Sequence, residues 1–503
     1  MTYTLDDYFK DSGVKLTIPF APYITMKFKP RPDQVKALNQ SVYYMRYLNA
    51  SDPGTGKTVS AQAWGLYWIS EGTRVLVVMP PALLYQFQQS FFDTYKGLDK
   101  YVSCHVLDEA PAKRQKLMDG WDKDSSWPEF LLLSYHKLRS MAPRLRKAGY
   151  EALMADEAHA LKNPESMIHK VVHDYVGGWN DSAFLAMTGT PVVNELLDAY
   201  GLVKMCNPEA YATLREFERA HCLYEKIRLK KPKKLRNGGM LRHFKKLVGY
   251  RDVDTIHKHM YRHGMRVLKE DVLSLHEPVI TEVAVKLSTK HLNLYRKLAK
   301  ERILEIGDEL ITAIQEQGLR QKLLQIVTCP HLFIPPEEKI ENGIFKTTEA
   351  LLDSVGIQST KVVIFANYQQ TVEQLAEHFH ELNPAIIYGA SKNANAERIK
   401  FIENDACRLL IANPVSAGAG LDGLQTVSHN MIFVEPTGVP GQFSQCVARL
   451  QRGGQKKPVS IYVLKALSTV APKATKEMLR KAENVKQVNM DRESLMDYFQ
   501  IAS

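Results

Sequence analysis

The segment Ser51-Asp-Pro-Gly-Thr-Gly-Lys-Thr58 concentrates more chemistry than any other of its length. Glycines at 54 and 56 would let consecutive backbone N–H groups approach phosphate oxygens without Cβ obstruction. Lys57 would then reach the β and γ phosphates as a cation, and the Thr58 hydroxyl would hold Mg²⁺. Gly54, Thr55, Gly56, Lys57 and Thr58 are thus candidate ligands for ATP, with Mg²⁺ as its companion. Ser51 takes the place of the first glycine of such loops, a departure. A glycine-rich turn opening any helix has a similar composition, so the loop needs corroboration.

Leu153-Met-Ala-Asp-Glu-Ala-His159 supplies it, an apolar stretch ending in paired acids, the first of them 99 residues after Lys57. Adjacent carboxylates can divide labour: Asp156 fixes the metal while Glu157 polarises the attacking water. A solvated helix start would explain an isolated Asp-Glu, but not one that terminates a strand. Thr188-Gly-Thr-Pro191 follows another apolar stretch, Phe184 to Met187. The Thr188 and Thr190 hydroxyls could sense the state of those carboxylates and relay it to a bound strand. Alone, the tetrapeptide reads equally as an ordinary turn.

These motifs need strands to carry them. Short apolar runs at Val75–Met79, Phe130–Leu133, Leu153–Ala155 and Phe184–Met187 alternate with amphipathic stretches, the pattern of parallel strands joined by crossover helices. The pattern resumes at Val362–Phe365, Ala385–Tyr388, Leu409–Ala412, Met431–Val434 and Val459–Leu464. The fold class is α/β, with two parallel sheets separated by a long middle. In that middle, Thr289 to Val327 has apolar residues at helical spacing. Lys230 to Asn237, followed by Gly238-Gly239, has the composition of an exposed loop, and Pro335-Pro336 marks a boundary. The stretch after Pro472 reads as helix.

The 503 residues are 45% hydrophobic and 24% charged, which excludes a mostly disordered, collagen-like or membrane chain. The net charge of +11 is localised. Lys226 to Lys269 holds fifteen Lys and Arg against Asp252 and Asp254, a net +13 that leaves −2 on the rest. Six scattered cysteines without Cys-x-x-Cys spacing suggest neither a disulfide framework nor a zinc site. No apolar run approaches the ~18 residues a membrane span needs, and the acidic start at Asp6, Asp7 and Asp11 lacks a signal core. A cytoplasmic protein with no membrane partner is expected, or a nuclear one in a eukaryote.

Taken in order, these segments resemble the Swi/Snf-type ATPases of helicase superfamily two, from about Lys29 to Lys456. Arg31-Pro-Asp-Gln34 is similar to the family's adenine-contacting element, which implies nucleotide contacts from Arg31 and Gln34. The tails His159-Ala-Leu-Lys-Asn163 and Pro191-Val-Val-Asn194, and the segments Lys269–Leu273 and Cys329–Leu332, also look like this family. Ser416–Leu421 resembles its glycine-rich motif, adding Gly420 as a nucleotide contact. Gln445-x-x-x-Arg449-x-x-Arg452-x-Gly-Gln455 resembles its closing arginine motif. That likeness makes Arg449 and Arg452 the fingers that neutralise charge on the γ-phosphate, and Gln445 a coupling residue. Departures include Asp422 where the family usually has Asn, Gln451 in place of His, and Glu435–Gly441 without the Trp-Asn-Pro element.

The resemblance implies two RecA-like parallel-sheet lobes with helical protrusions between them. The expected divisions are an extension at 1–28, a first lobe at 29–275 with a basic protrusion at 209–270, a helical connector at 276–345, a second lobe at 346–470 and a helical brace at 471–503. It also implies an ATP-dependent motor on duplex or branched DNA, a bare translocase suited to fork regression, branch migration or annealing in replication, recombination or repair. Other replication or recombination proteins would be its partners. Arg228, Lys230, Lys231, Lys233, Lys234 and Arg236 would touch DNA phosphates without reading sequence. A solvated loop and a nuclear-import signal are other readings of that run. A single-stranded DNA or RNA helicase is the alternative within the enzyme class, and a nucleotide-gated DNA clamp the alternative outside it.

Overall fold

The computed structural model describes residues 3–177, 182–192, 196–234, 240–273, 275–306, 313–335, 337–389, 393–418, 421–437 and 440–488. The chain forms two compact units, the first chiefly Met1–Cys222 with Tyr250–Leu273, the second Leu223–Gly249 with Ser274–Gln487.

The first unit is built on strands β1 (Arg46–Asn49), β2 (Arg74–Met79), β3 (Cys104–Val106), β4 (Phe130–Ser134), β5 (Tyr150–Asp156) and β6 (Ala183–Met187). Two further strands, β7 (Cys222–Lys234) and β8 (Met240–Tyr250), fall almost wholly in the second unit and pair with each other, and β9 (Gly264–Met265) returns to the main sheet of the first. The resulting seven-stranded sheet has the order β9-β1-β6-β5-β2-β4-β3 and every pairing in it is parallel. Its central strands are continuously apolar because helices cover both faces. Residues Val75 to Met79 and Phe130 to Leu133 are fully buried.

Register sets the functional edge. Met265 lies beside Asn49, Asn49 beside Met187, and Met187 beside Asp156. Four neighbouring strands therefore end level, and the loops leaving them meet along the carboxyl edge, where open parallel sheets bind ligands.

The second unit has strands β10 (Val279–Val285), β11 (Lys361–Phe365), β12 (Ala385–Ile387), β13 (Leu409–Ala412), β14 (Ser428–Phe433) and β15 (Ser460–Ala466). They form a six-stranded parallel sheet in the order β10-β15-β14-β11-β13-β12. Alternate side chains feed two cores: Val362 and Ile364 pack into one, Val363 and Phe365 into the other.

All nine strands read from the apolar runs are present, with ends displaced by a few residues at most. The middle differs from its sequence reading. Lys230–Lys234 is not loop but the end of β7 in a two-stranded ribbon. The expected helix from Thr289 is two helices, Thr289–Ile306 and Ala313–Thr328. The helix after Pro472 runs Ala471–Val488. Among the described residues no helix is long and apolar enough to cross a membrane.

Candidate nucleotide site

The chain leaves β1 at Asn49 and enters the helix Lys57–Ser70 through the glycine-containing loop. Gly54 and Gly56 adopt φ of +87° and +79°, a left-handed backbone that glycine tolerates best. Space demands glycine at 56 as well, since a Cβ there would lie 2.6 Å from Gln34 Nε2. The helix thus presents the positive end of its dipole toward the loop, a ready anion site.

Lys57 folds back on this loop. Its Nζ donates to the Ser51 carbonyl at 2.6 Å and the Asp52 carbonyl at 3.1 Å. Burial pulls its ammonium below the ordinary lysine range, while the Glu157, Asp156 and Asp52 carboxylates pull it back up. Both acids of the pair therefore lie within electrostatic reach of the lysine.

Asp156 ends β5 and Glu157 turns away from it at φ +50°, an unusual conformation for a residue with a side chain. The Glu157 N–H donates to Asp156 Oδ1 at 2.9 Å, and the Tyr135 hydroxyl donates to the Asp156 carbonyl at 2.7 Å. Burial, then the charge of Glu157, pushes the Asp156 carboxyl up to about 6. An acid so placed gains from a cation in front of it. The Asp156 carboxylate and the Thr58 hydroxyl are hard oxygen donors, which suits Mg²⁺, an ion that keeps several waters and needs few protein ligands.

His159 joins the acids to the next motif. Its Nδ1 lies 3.2 Å from Glu157 Oε2 and 3.4 Å from Thr188 Oγ1. Thr188 Oγ1 in turn accepts from the Thr190 N–H at 3.1 Å, and both threonines are buried. Gly189 abuts the phosphate loop, since a Cβ there would stand 2.5 Å from Pro53 Cδ. The loop, the acid pair and the Thr-Gly-Thr turn form one contiguous site.

Gln34 and Arg31 brace the loop from the other side. Gln34 Nε2 donates to the Gly56 carbonyl at 3.1 Å, and its Oε1 accepts from the Arg31 N–H at 2.9 Å. Arg31 pairs with Asp33 and donates to the Thr55 carbonyl. Gln34, expected from the resemblance as a nucleotide contact, is 4% exposed and engaged with the loop itself.

The sequence reading missed a fourth contributor. After β9, Arg266 Nη2 pairs with Asp52 Oδ1 at 2.8 Å, and the Lys269 N–H reaches Asp52 Oδ2 at 3.3 Å. The Val267 N–H donates to Ser51 Oγ at 3.2 Å, so the serine that departs from the motif gives this segment an acceptor. Arg266 keeps Nε and Nη1 buried without a partner. The basic block is therefore not one surface. Arg266 belongs to the nucleotide site, and Arg251 spends its guanidinium on the Arg219 and Ala220 carbonyls. Arg228, Lys230, Lys231, Lys233 and Lys234 fall on β7, but their side chains, like Arg236, lie outside the described residues.

In the second unit the helix Pro440–Leu450 carries Gln445 and Arg449, and Arg452 follows its end. Asp422 binds both arginines through Oδ1, Arg449 Nη1 at 3.5 Å and Arg452 Nη1 in closer contact. Gln451 is 4% exposed and donates to the His276 carbonyl at 3.3 Å. Gly420 lies outside the described residues.

The chain is similar to a known family and to known proteins. The family model described as SNF2-related domain matches residues 44–331. A DNA repair and recombination protein RAD54-like of Drosophila ananassae is 23% identical over 90% of this chain and 60% of its own length. Its counterpart in Drosophila pseudoobscura pseudoobscura is 25% identical over 90% and 61%. The chain thus spans about 60% of the length of these relatives. Among solved structures, the Sulfolobus solfataricus SWI2/SNF2 ATPase core in complex with dsDNA is similar at 20% identity, with a TM-score of 0.40, covering 94% of this chain and 97% of that one.

Proposed function

The chain belongs to the SNF2-related family, and on that premise we propose that it is an ATP-driven motor that moves along duplex or branched DNA. The observation that carries this reading is the level edge of the first sheet, where Lys57, Asp156, Glu157 and Thr188 come from three adjacent strand ends. Such an edge is built for phosphoryl transfer to water, in which catalysis is positioning and charge neutralisation. Lys57 exchanges its two loop carbonyls for phosphate oxygens. Asp156 and Thr58 hold Mg²⁺, which when bound supplies positive charge against the phosphates. Glu157, oriented by its turn and by His159, takes the proton of the attacking water. Arg449 and Arg452 oppose the charge that develops on the γ-phosphate.

On this reading the Glu157–His159–Thr188 chain reports the state of hydrolysis to the track, and the β7–β8 ribbon meets DNA phosphates without sequence preference. Fork regression, branch migration or annealing in recombination and repair is the work such a motor would do. The RAD54-like relatives support that assignment. The test is the ATPase rate measured in parallel on duplex DNA, single-stranded DNA, forked DNA and RNA. Strongest stimulation by duplex or forked DNA is expected; stimulation by RNA alone would overturn the proposal.

A further inference from the structure

Asp422 binds both arginines of the closing motif, and its backbone is held in place. Its backbone carbonyl accepts from Arg398 Nη1 at 2.7 Å, and Arg398 is itself fixed by Asn395 Oδ1 at 2.9 and 3.1 Å. The next residue, Gly423, turns the chain at φ +91°, and a Cβ there would press to 3.0 Å from Ile402 Cδ1. The acid is thus braced at the backbone. Of the two arginines, Arg449 stands in the last turn of its helix and Arg452 beyond the helix end.

A carboxylate and a γ-phosphate compete for the same guanidinium N–H groups, since both are anions whose oxygens accept them. The side chains of Arg449, Arg452 and Asp422 are 13%, 22% and 37% exposed, so the contact is partly shielded from solvent. We propose that Asp422 is a restraining residue that holds both arginines away from nucleotide until the track favours their release. This rests on the assignment of Arg449 and Arg452 as γ-phosphate ligands. Asp422 acts only through them and is a positioning residue. An amide at this position would still accept a hydrogen bond from either arginine but would not oppose phosphate with a full charge.

The experiment is steady-state ATP turnover, with and without duplex DNA, for the parent, Asp422→Asn, Asp422→Ser, Asp422→Glu and the pair Arg449→Ala, Arg452→Ala. Each neutral variant is expected to raise DNA-free kcat about five-fold, the rate equivalent of about 1 kcal/mol of partly screened ion pairing. KM for ATP stays unchanged, because nucleotide is held by the first unit, and stimulation by DNA shrinks in proportion. Asp422→Glu keeps the carboxylate and is expected to stay close to the parent. Two neutral replacements of different shape separate loss of charge from loss of fit, and thermal melting confirms that each is folded. If Asp422→Asn and Asp422→Ser are folded and their DNA-free kcat equals or falls below the parent's, the restraint is disproved while the fingers stand, provided Arg449→Ala and Arg452→Ala have lost turnover. If the arginine variants turn over normally, the finger assignment itself fails and the restraint with it.

Discussion

Each of the two units holds cationic side chains against a partner of its own, and the partners differ in kind. Lys57 rests on two neutral carbonyls of its own loop, whereas Arg449 and Arg452 rest on the Asp422 carboxylate. Leaving a carbonyl dipole for a phosphate is a small exchange that trades a weaker acceptor for a charged one. Leaving a carboxylate is an exchange of like for like, with little gain until something else favours it. On the proposed function, the lysine of the first unit is thus poised for a phosphate, while the arginines of the second unit are restrained by a charge. The motor proposed above would benefit from that asymmetry.

The comparison can be broken most decisively at the arginines. Arg452→Ala is expected to lower kcat about a thousand-fold with KM for ATP little changed, the pattern of a group used only in the transition state. A rise in KM at constant kcat would place Arg452 in ground-state binding and erase the distinction between the units. A smaller effect is expected in the first unit at Arg266→Ala, which removes the guanidinium paired with Asp52 and leaves that acid only the Lys269 N–H. There ATP affinity should fall about ten-fold, as for loss of a partly buried charge-assisted contact, with the effect read by nucleotide titration. Unaltered affinity would mean that the loop is rigid without its brace.

The third test uses protons. The Asp156 carboxyl is raised in the folded protein from an ordinary 3.8 to about 6, chiefly by burial. A raised value means the folded state binds the proton more tightly than the unfolded chain. The stability this group contributes is therefore full below its unfolded value and is lost as pH rises through about 6. The difference in melting temperature between metal-free parent and Asp156→Asn should thus move against the parent between pH 4 and pH 7 and level off above that. Saturating Mg²⁺ should reverse the trend in the parent only, because the cation favours the ionised carboxylate. A pH-independent difference, or one indifferent to Mg²⁺, would remove Asp156 from the metal.

The sequence yielded the site where type and spacing coincide within a short stretch. Gly54 through Thr58, the Asp156-Glu157 pair and Thr188-Gly-Thr190 each follow a strand and are read locally. Arg266 was illegible because its partner Asp52 lies 214 residues away and its own surroundings read as one more part of a basic run. Only the pairing of β9 with β1 brings the two together. Strand β1 escaped notice because Arg46 and Asn49 leave it only two apolar residues, although those two are fully buried. The ribbon was hidden by its lysines and by Pro232, which argue against a strand inside a sheet yet suit one with solvent-facing edges. Asp422 was visible as a departure from a family pattern, but its partners are 27 and 30 residues on and had to be seen in the fold.

The central claim is that the level strand edge of the first unit is a hydrolytic ATP site, and Glu157→Gln tests it most directly. That change keeps the shape of the side chain and removes its negative charge, and with it the ability to take a proton. Measured on one preparation, ATP binding is expected to stay near the parent's while steady-state turnover on duplex DNA falls by at least about a hundred-fold. Turnover close to the parent's, with binding intact, would contradict the assignment.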